Sequence, residues 1–152
     1  MSAADRLAEL GLTLPAVAKP VAAYIPAVRT GSYVYTSGQL PLADGKLQGT
    51  GKVGDTVTVE EAAGYARTAA LNALAAAASA AGGLDAIKRV VKVVVFVSSA
   101  TDFTGQAQVA NGASELLQDV FGEAGQHARS AVGMAVLPLD TPVEVEIVVE
   151  TV

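Results

Sequence analysis

The stretch "HARSAVGMAVLPLD", residues 127–140, sets one arginine, Arg129, at the head of a strand-like run that carries no further charge until Asp140. A guanidinium is permanently charged, and its planar fork matches a carboxylate bidentately. Beside apolar sequence such a group either pairs with an acid of its own chain, Glu146 being a candidate, or meets a carboxylate that arrives on a ligand. The following "VEVEIVVE", residues 143–150, alternates with period two, so Val143, Val145, Ile147 and Val149 share one face and Glu144, Glu146, Val148 and Glu150 the other. Glutamates in such a row are solvated where the face meets water. One that lines a subunit interface near the middle of the strand is partly desolvated, which raises its pKa and makes it a usable proton acceptor; Glu146 is either such a group or, as is commoner in such a row, merely solvated. "YTSGQLP", residues 35–41, ends a strand with Ser37 and Gly38, a hydroxyl and a flexible backbone N–H that either meet an anion or simply terminate the strand. His127 is the chain's one histidine, and it either neighbours a site at Arg129 or stands on the surface.

The remaining chemistry is narrowed by what is scarce. Cysteine is absent, which removes thiolate catalysis, disulfides and Cys/His zinc sites, and no Asp-x-Asp-Gly spacing suggests a carboxylate metal loop. No metal and no cofactor are expected. Ten Lys+Arg against fifteen Asp+Glu leave a net charge of -5 with no basic run, so nucleic acid is not an expected partner. The opening "MSAADRLAELGL" is charged where an export signal would be apolar, and the alanine-rich stretch at 62–81 is too weakly hydrophobic to span a bilayer. A cytoplasmic protein without membrane attachment is expected.

The elements that must position these residues read as follows. Ser2 and Asp5 start a short leading helix that Gly11 closes. Three prolines keep 13–26 extended. "AVRT" and "SYVYTS" form a hairpin around Gly31, and the Gly- and Asp-rich 40–56 reads as an irregular loop. Thr58 and Glu61 make a capping box for a long alanine-rich helix ending at Gly82 and Gly83. The β-branched 87–99 is a strand with both faces mostly covered. A second helix bears the stripe Val109, Leu116, Leu117, Val120 and Phe121, and two strands finish the chain. The 152 residues thus form one domain, an α+β sandwich with two long helices on one face of a mixed sheet. The other face is left bare. Hydrophobic residues make up 51% and charged residues 16%, an apolar excess that packing of several sheets around a common axis would absorb.

Taken together, "TSGQLP", "ARTAALNALAAAASAAG", "VVKVVVFVSSATDF" and "ARSAVGMAVLPLDTPVEVEIVVE" stand in an order and spacing that resembles the RidA (YjgF-type) family over about residues 20–150, with 1–19 as an N-terminal extension. The resemblance implies a chorismate-mutase-like fold, a homotrimer whose sheets form a central barrel, and ligand pockets at the subunit interfaces. It implies hydrolysis of 2-iminoacids to 2-ketoacids and ammonia without a cofactor. Residue by residue, it implies that Arg129 clamps the carboxylate of a small metabolite, Glu146 helps position the attacking water, Tyr24 closes the pocket, and Ser37, Gly38, Asn111 and Ala131 line it. Departures are visible too. Ala131 stands where many active members carry cysteine, Ala22-Ala23 precede Tyr24 in place of Gly-Pro, and the match at Asn111 needs extra residues after Phe103. These motivate an alternative, a trimer that binds a small carboxylate without turning it over. An endoribonuclease activity, often attached to the family, is disfavoured by the charge and by the lack of a histidine pair.

Overall fold

A computed structural model describes residues 1–20 and 22–152 of the chain. Its frame is a five-stranded sheet in the order β1-β2-β7-β5-β6, from β1 (Ala27–Thr30), β2 (Tyr33–Thr36), β5 (Ile87–Ser98), β6 (Ala128–Met134) and β7 (Val143–Thr151). All pairs are antiparallel except β5 with β6. A parallel pair needs a crossover, and helix α3 (Gln106–Phe121) supplies it. That crossover sets β6 at one edge of the sheet and lays α3 against it.

The core lies between the sheet and two helices. Helix α2 (Val59–Ala81) packs on β7 and α3. Its start is fixed by the capping box of Thr58 and Glu61, and its end by Gly82 in the left-handed region. The face it turns inward is nearly all alanine, with Ala62, Ala66, Ala69, Ala70 and Ala73 fully buried. Small side chains let the helices close up, and the contact is tightest at Gly112 of α3, where a β-carbon would run into the carbonyl of Ala63. The alternation of β7 is realised in full: Val143, Val145, Ile147 and Val149 are buried under the helices, while Glu144, Glu146, Val148 and Glu150 are half-exposed on the opposite face.

Helix α1 (Ala3–Glu9) begins at a capping box of Ser2 and Asp5, and it docks on α3 through buried Leu7. The expected irregular loop at 40–56 needs correction. It contains a miniature hairpin, β3 (Leu42–Ala43) with β4 (Lys46–Leu47), turned by Asp44 and Gly45 at φ 53° and 78°. Asp-Gly tolerates the two consecutive positive φ values that a tight two-residue hairpin turn demands. The face of the sheet away from the helices bears exposed Tyr33, Tyr35 and Val132, the bare surface anticipated from composition.

Candidate functional site

Arg129 is the second residue of β6, paired with buried Val93, and its side chain reaches toward α3. Nη1 donates to Asn111 Oδ1 at 2.9 Å and to Ser114 Oγ at 3.1 Å, and Nη2 makes a longer contact of 3.4 Å to the Ala107 carbonyl. Among the described residues no carboxylate forms an ion pair with it; the ion pairs are Arg67–Asp119 and Lys88–Glu150. Neutral acceptors orient a guanidinium without cancelling its charge. Nε forms no hydrogen bond among the described residues and Nη2 is only lightly engaged, so the Nε–Nη2 edge stays available to an acid.

His127 lies under this cluster. Its Nδ1 is 2.6 Å from the Gly125 carbonyl and its Nε2 is 2.8 Å from Ser114 Oγ. Burial lowers its pKa, and the Arg129 charge lowers it further against the opposing bond to Gly125, so the ring is held neutral.

The second group of residues stands at the other end of the strand order. Tyr24 is 46% exposed and lines a cavity of about 100 Å³ with Pro20, Pro26, Gly38, Leu40 and Leu139. The Ser37 hydroxyl donates to the Ile25 carbonyl at 2.6 Å and its N–H donates to Pro26, which straps the extended segment to the end of β2. The next residue but one, Gln39, exchanges both backbone hydrogen bonds with Val145, at 2.8 and 2.9 Å. This docks Gly38 beside β7, and a β-carbon on Gly38 would lie 2.6 Å from Glu144 Oε2. Glycine is therefore required for the carboxylate to rest there.

On this face Glu144 has a carboxyl desolvated enough to shift its pKa. Burial raises the pKa of Glu144, and the charge of Glu146 on the same face raises it again. Glu146 itself pairs with Val94 farther along β7. Period-two alternation could not separate the two, since both face the same way; the Gln39–Val145 pairing is what selects Glu144. Ala131 pairs with Val95 on the helix side and packs its methyl against the core. Ser114 was not anticipated, because its only sequence signal is a hydroxyl inside an apolar helical stripe.

The structure thus brings Arg129 to Asn111, and Tyr24 to Gly38, but it holds the two sets apart. Arg129 belongs to the β6 edge and the helix side, whereas Gly38 and Glu144 belong to the opposite side near β2. Among the described residues no cluster of three or more His, Asp or Glu could hold a metal, and no helix is long and apolar enough to cross a membrane.

The family model described as "YjgF/chorismate_mutase-like, putative endoribonuclease" matches residues 4–151, and the chain belongs to that family. It is 47% identical over 148 residues to Protein TCP17 of Trypanosoma cruzi, covering 97% of this chain and 92% of the relative. The crystal structure of Atu1372 from Agrobacterium tumefaciens is 45% identical with a TM-score of 0.90, over 99% of this chain and 92% of that one. Escherichia coli TdcF, in a crystal structure with bound serine, is 25% identical with a TM-score of 0.64, over 90% of this chain and 94% of that one.

Proposed function

We propose that the chain is a cytoplasmic imine/enamine deaminase that hydrolyses 2-iminoacids to 2-ketoacids and ammonia at sites completed between the subunits of a homotrimer. The observation that carries this reading is Arg129: a half-buried guanidinium oriented by Asn111 and Ser114, with no carboxylate of its own chain upon it. Such a group is suited to receive a small acid. A relative whose structure holds serine, itself a small carboxylate, supports the same class of ligand.

The chemistry asks little beyond positioning. The iminium carbon of R–C(=NH2+)–COO⁻ is already electrophilic, so the protein needs to hold the carboxylate, exclude competing nucleophiles and aim one water. Glu144, its proton affinity raised by burial, accepts a proton as the water oxygen bonds to carbon. The same proton then passes to the nitrogen of the tetrahedral adduct; as the C–N bond breaks, the hydroxyl oxygen becomes the carbonyl and gives its proton to Glu144, and the departing ammonia takes that proton up, so ketoacid and ammonium leave. No cofactor or metal takes part.

Placement supports assembly. Arg129 and Asn111 lie at the β6 edge and Tyr24, Ser37 and Gly38 at the β1–β2 edge, so a neighbouring copy is what would bring the two sets to one substrate. Exposed Tyr33, Tyr35 and Val132 on the open face give such copies an apolar surface to bury. A second reading, a binding protein without turnover, is favoured by Ala131, whose methyl supplies no hydrogen-bonding group to the site. Cleavage of RNA is opposed by the net charge of -5 and the single histidine.

Incubation with freshly generated 2-iminobutanoate, following release of the ketoacid, decides between them. Acceleration over buffer that is lost in Arg129→Ala is expected. Rates equal to buffer, or an undiminished Arg129→Ala variant, would overturn the deaminase reading, and a monomer by light scattering would overturn the shared site.

A further inference from the structure

Behind Arg129 stands a chain of three groups drawn from three places in the sequence: Gly125 in the turn after α3, His127 just before β6, and Ser114 within α3. A carbonyl can only accept, so the 2.6 Å contact to Gly125 puts the ring proton of His127 on Nδ1. Nε2 of a neutral ring then carries a lone pair, and the Ser114 hydroxyl 2.8 Å away must donate to it. With its proton committed, Ser114 Oγ can turn only lone pairs toward Arg129, and Nη1 donates to it at 3.1 Å. Each bond in the series fixes the direction of the next.

We propose that Ser114 and His127 are positioning residues for Arg129: the imidazole, anchored on Gly125, orients the Ser114 hydroxyl, whose oxygen holds Nη1 so that the Nε–Nη2 edge faces the ligand. The proposal deepens the reading of Arg129 as a carboxylate clamp and rests on it. A nucleophilic serine would share the Ser–His contact, but Ser114 is only 7% exposed and the guanidinium occupies the space in front of its oxygen. A purely structural histidine would have no reason to meet one of the two side-chain acceptors that hold Arg129 Nη1. The lowered pKa of His127 agrees with the neutral ring the series requires. The charged and titratable groups around the ring are Arg129 of β6 and, across the open cleft beside it, Arg89 of β5, Glu150 of β7 and Tyr33 of β2.

Two readouts test the relay on the full chain. In the first, pyruvate is the probe and its Kd is measured by calorimetry. Ser114→Ala and His127→Ala are each expected to weaken binding about 10-fold, the range for losing a hydrogen bond to a charged group. The double variant should be no weaker than either single one, because both break one series. His127→Gln, whose Oε1 can accept from Ser114, should recover binding to within about 3-fold of the parent. Provided that Arg129→Ala loses pyruvate, undiminished binding in Ser114→Ala, multiplicative losses near 100-fold in the double variant, or a glutamine variant as weak as the alanine one would each overturn the proposal. The second readout does not need the clamp reading. NMR of the Arg129 side chain should show hindered rotation of the guanidinium in the parent and in His127→Gln, and free rotation in Ser114→Ala and His127→Ala. If rotation is unchanged by Ser114→Ala, the relay is wrong whatever pyruvate does. If the rotation responds as expected while Arg129→Ala still binds pyruvate like the parent, the relay stands and the clamp reading is the part that fails.

Discussion

Two regions of the sheet, the β6 edge and the start of β7, carry opposite charges and hold them in opposite ways. At β6, Arg129 is surrounded by neutral acceptors, Asn111 Oδ1, Ser114 Oγ and the Ala107 carbonyl, which orient the guanidinium and leave its charge intact. Beside β2, Glu144 is laid over Gly38, half-buried and near a second carboxylate, and its charge is disfavoured. One side preserves a charge and the other raises a proton affinity. Binding an acid needs the first and moving a proton needs the second, so a polar network and a glycine cradle are suited to different tasks.

Replacing the fork breaks that contrast most severely. Arg129→Ala is expected to lower kcat/KM for 2-iminobutanoate by about 100-fold or more, through loss of a bidentate, charge-assisted contact. Arg129→Lys should recover little of it, since a point charge does not reproduce the planar fork. Glu144→Gln tests the other region, with kcat falling about 100-fold and KM nearly unchanged, as expected for a group that acts on the proton rather than on binding. Glu146→Gln should be the milder of the two, and an equal loss would return the role to Glu146. Gly38→Ala, whose methyl meets the Glu144 carboxylate, should lower kcat about 10-fold while pyruvate binding at Arg129 is kept.

The smaller effects are on stability. Gly112→Ala forces α3 off the Ala63 carbonyl and should destabilise by about 1–3 kcal/mol in chemical denaturation. Glu144→Gln should raise Tm at neutral pH by about 1–3 °C. The sign follows from the raised pKa: the folded chain binds the proton more tightly than the unfolded one, so the ionised carboxylate costs stability above the folded pKa, and that cost is relieved as pH falls toward the ordinary glutamate range. The advantage of the glutamine variant should therefore shrink on acidification. An advantage that grows would mean that Glu144 is stabilised as an anion.

Much of the scaffold is legible because its signals are local. Thr58 with Glu61 forms the capping box read from their spacing, and Ser2 with Asp5, read as a helix start, closes a capping box as well. The alternation of 143–150 sorts four buried residues from four half-exposed ones without error. The hairpin at 42–47 had an equally local signal in Asp44-Gly45, obscured by the density of glycine around it. The site was harder. Arg129 stands out as a charge in an apolar run, but Ser114 is fifteen residues away, and only the crossover brings it near.

What the chain determined by itself is therefore the set of elements, the sorting of their faces and the apolar surplus of the sheet, since each depends on neighbours a few residues apart. The tertiary structure alone decided which glutamate meets Gly38, through the pairing of Gln39 with Val145, and which hydroxyl holds Arg129, through the return of α3 across the sheet. Register and crossover join residues far apart in the chain, and a one-residue slip in either would exchange their partners without altering any local pattern.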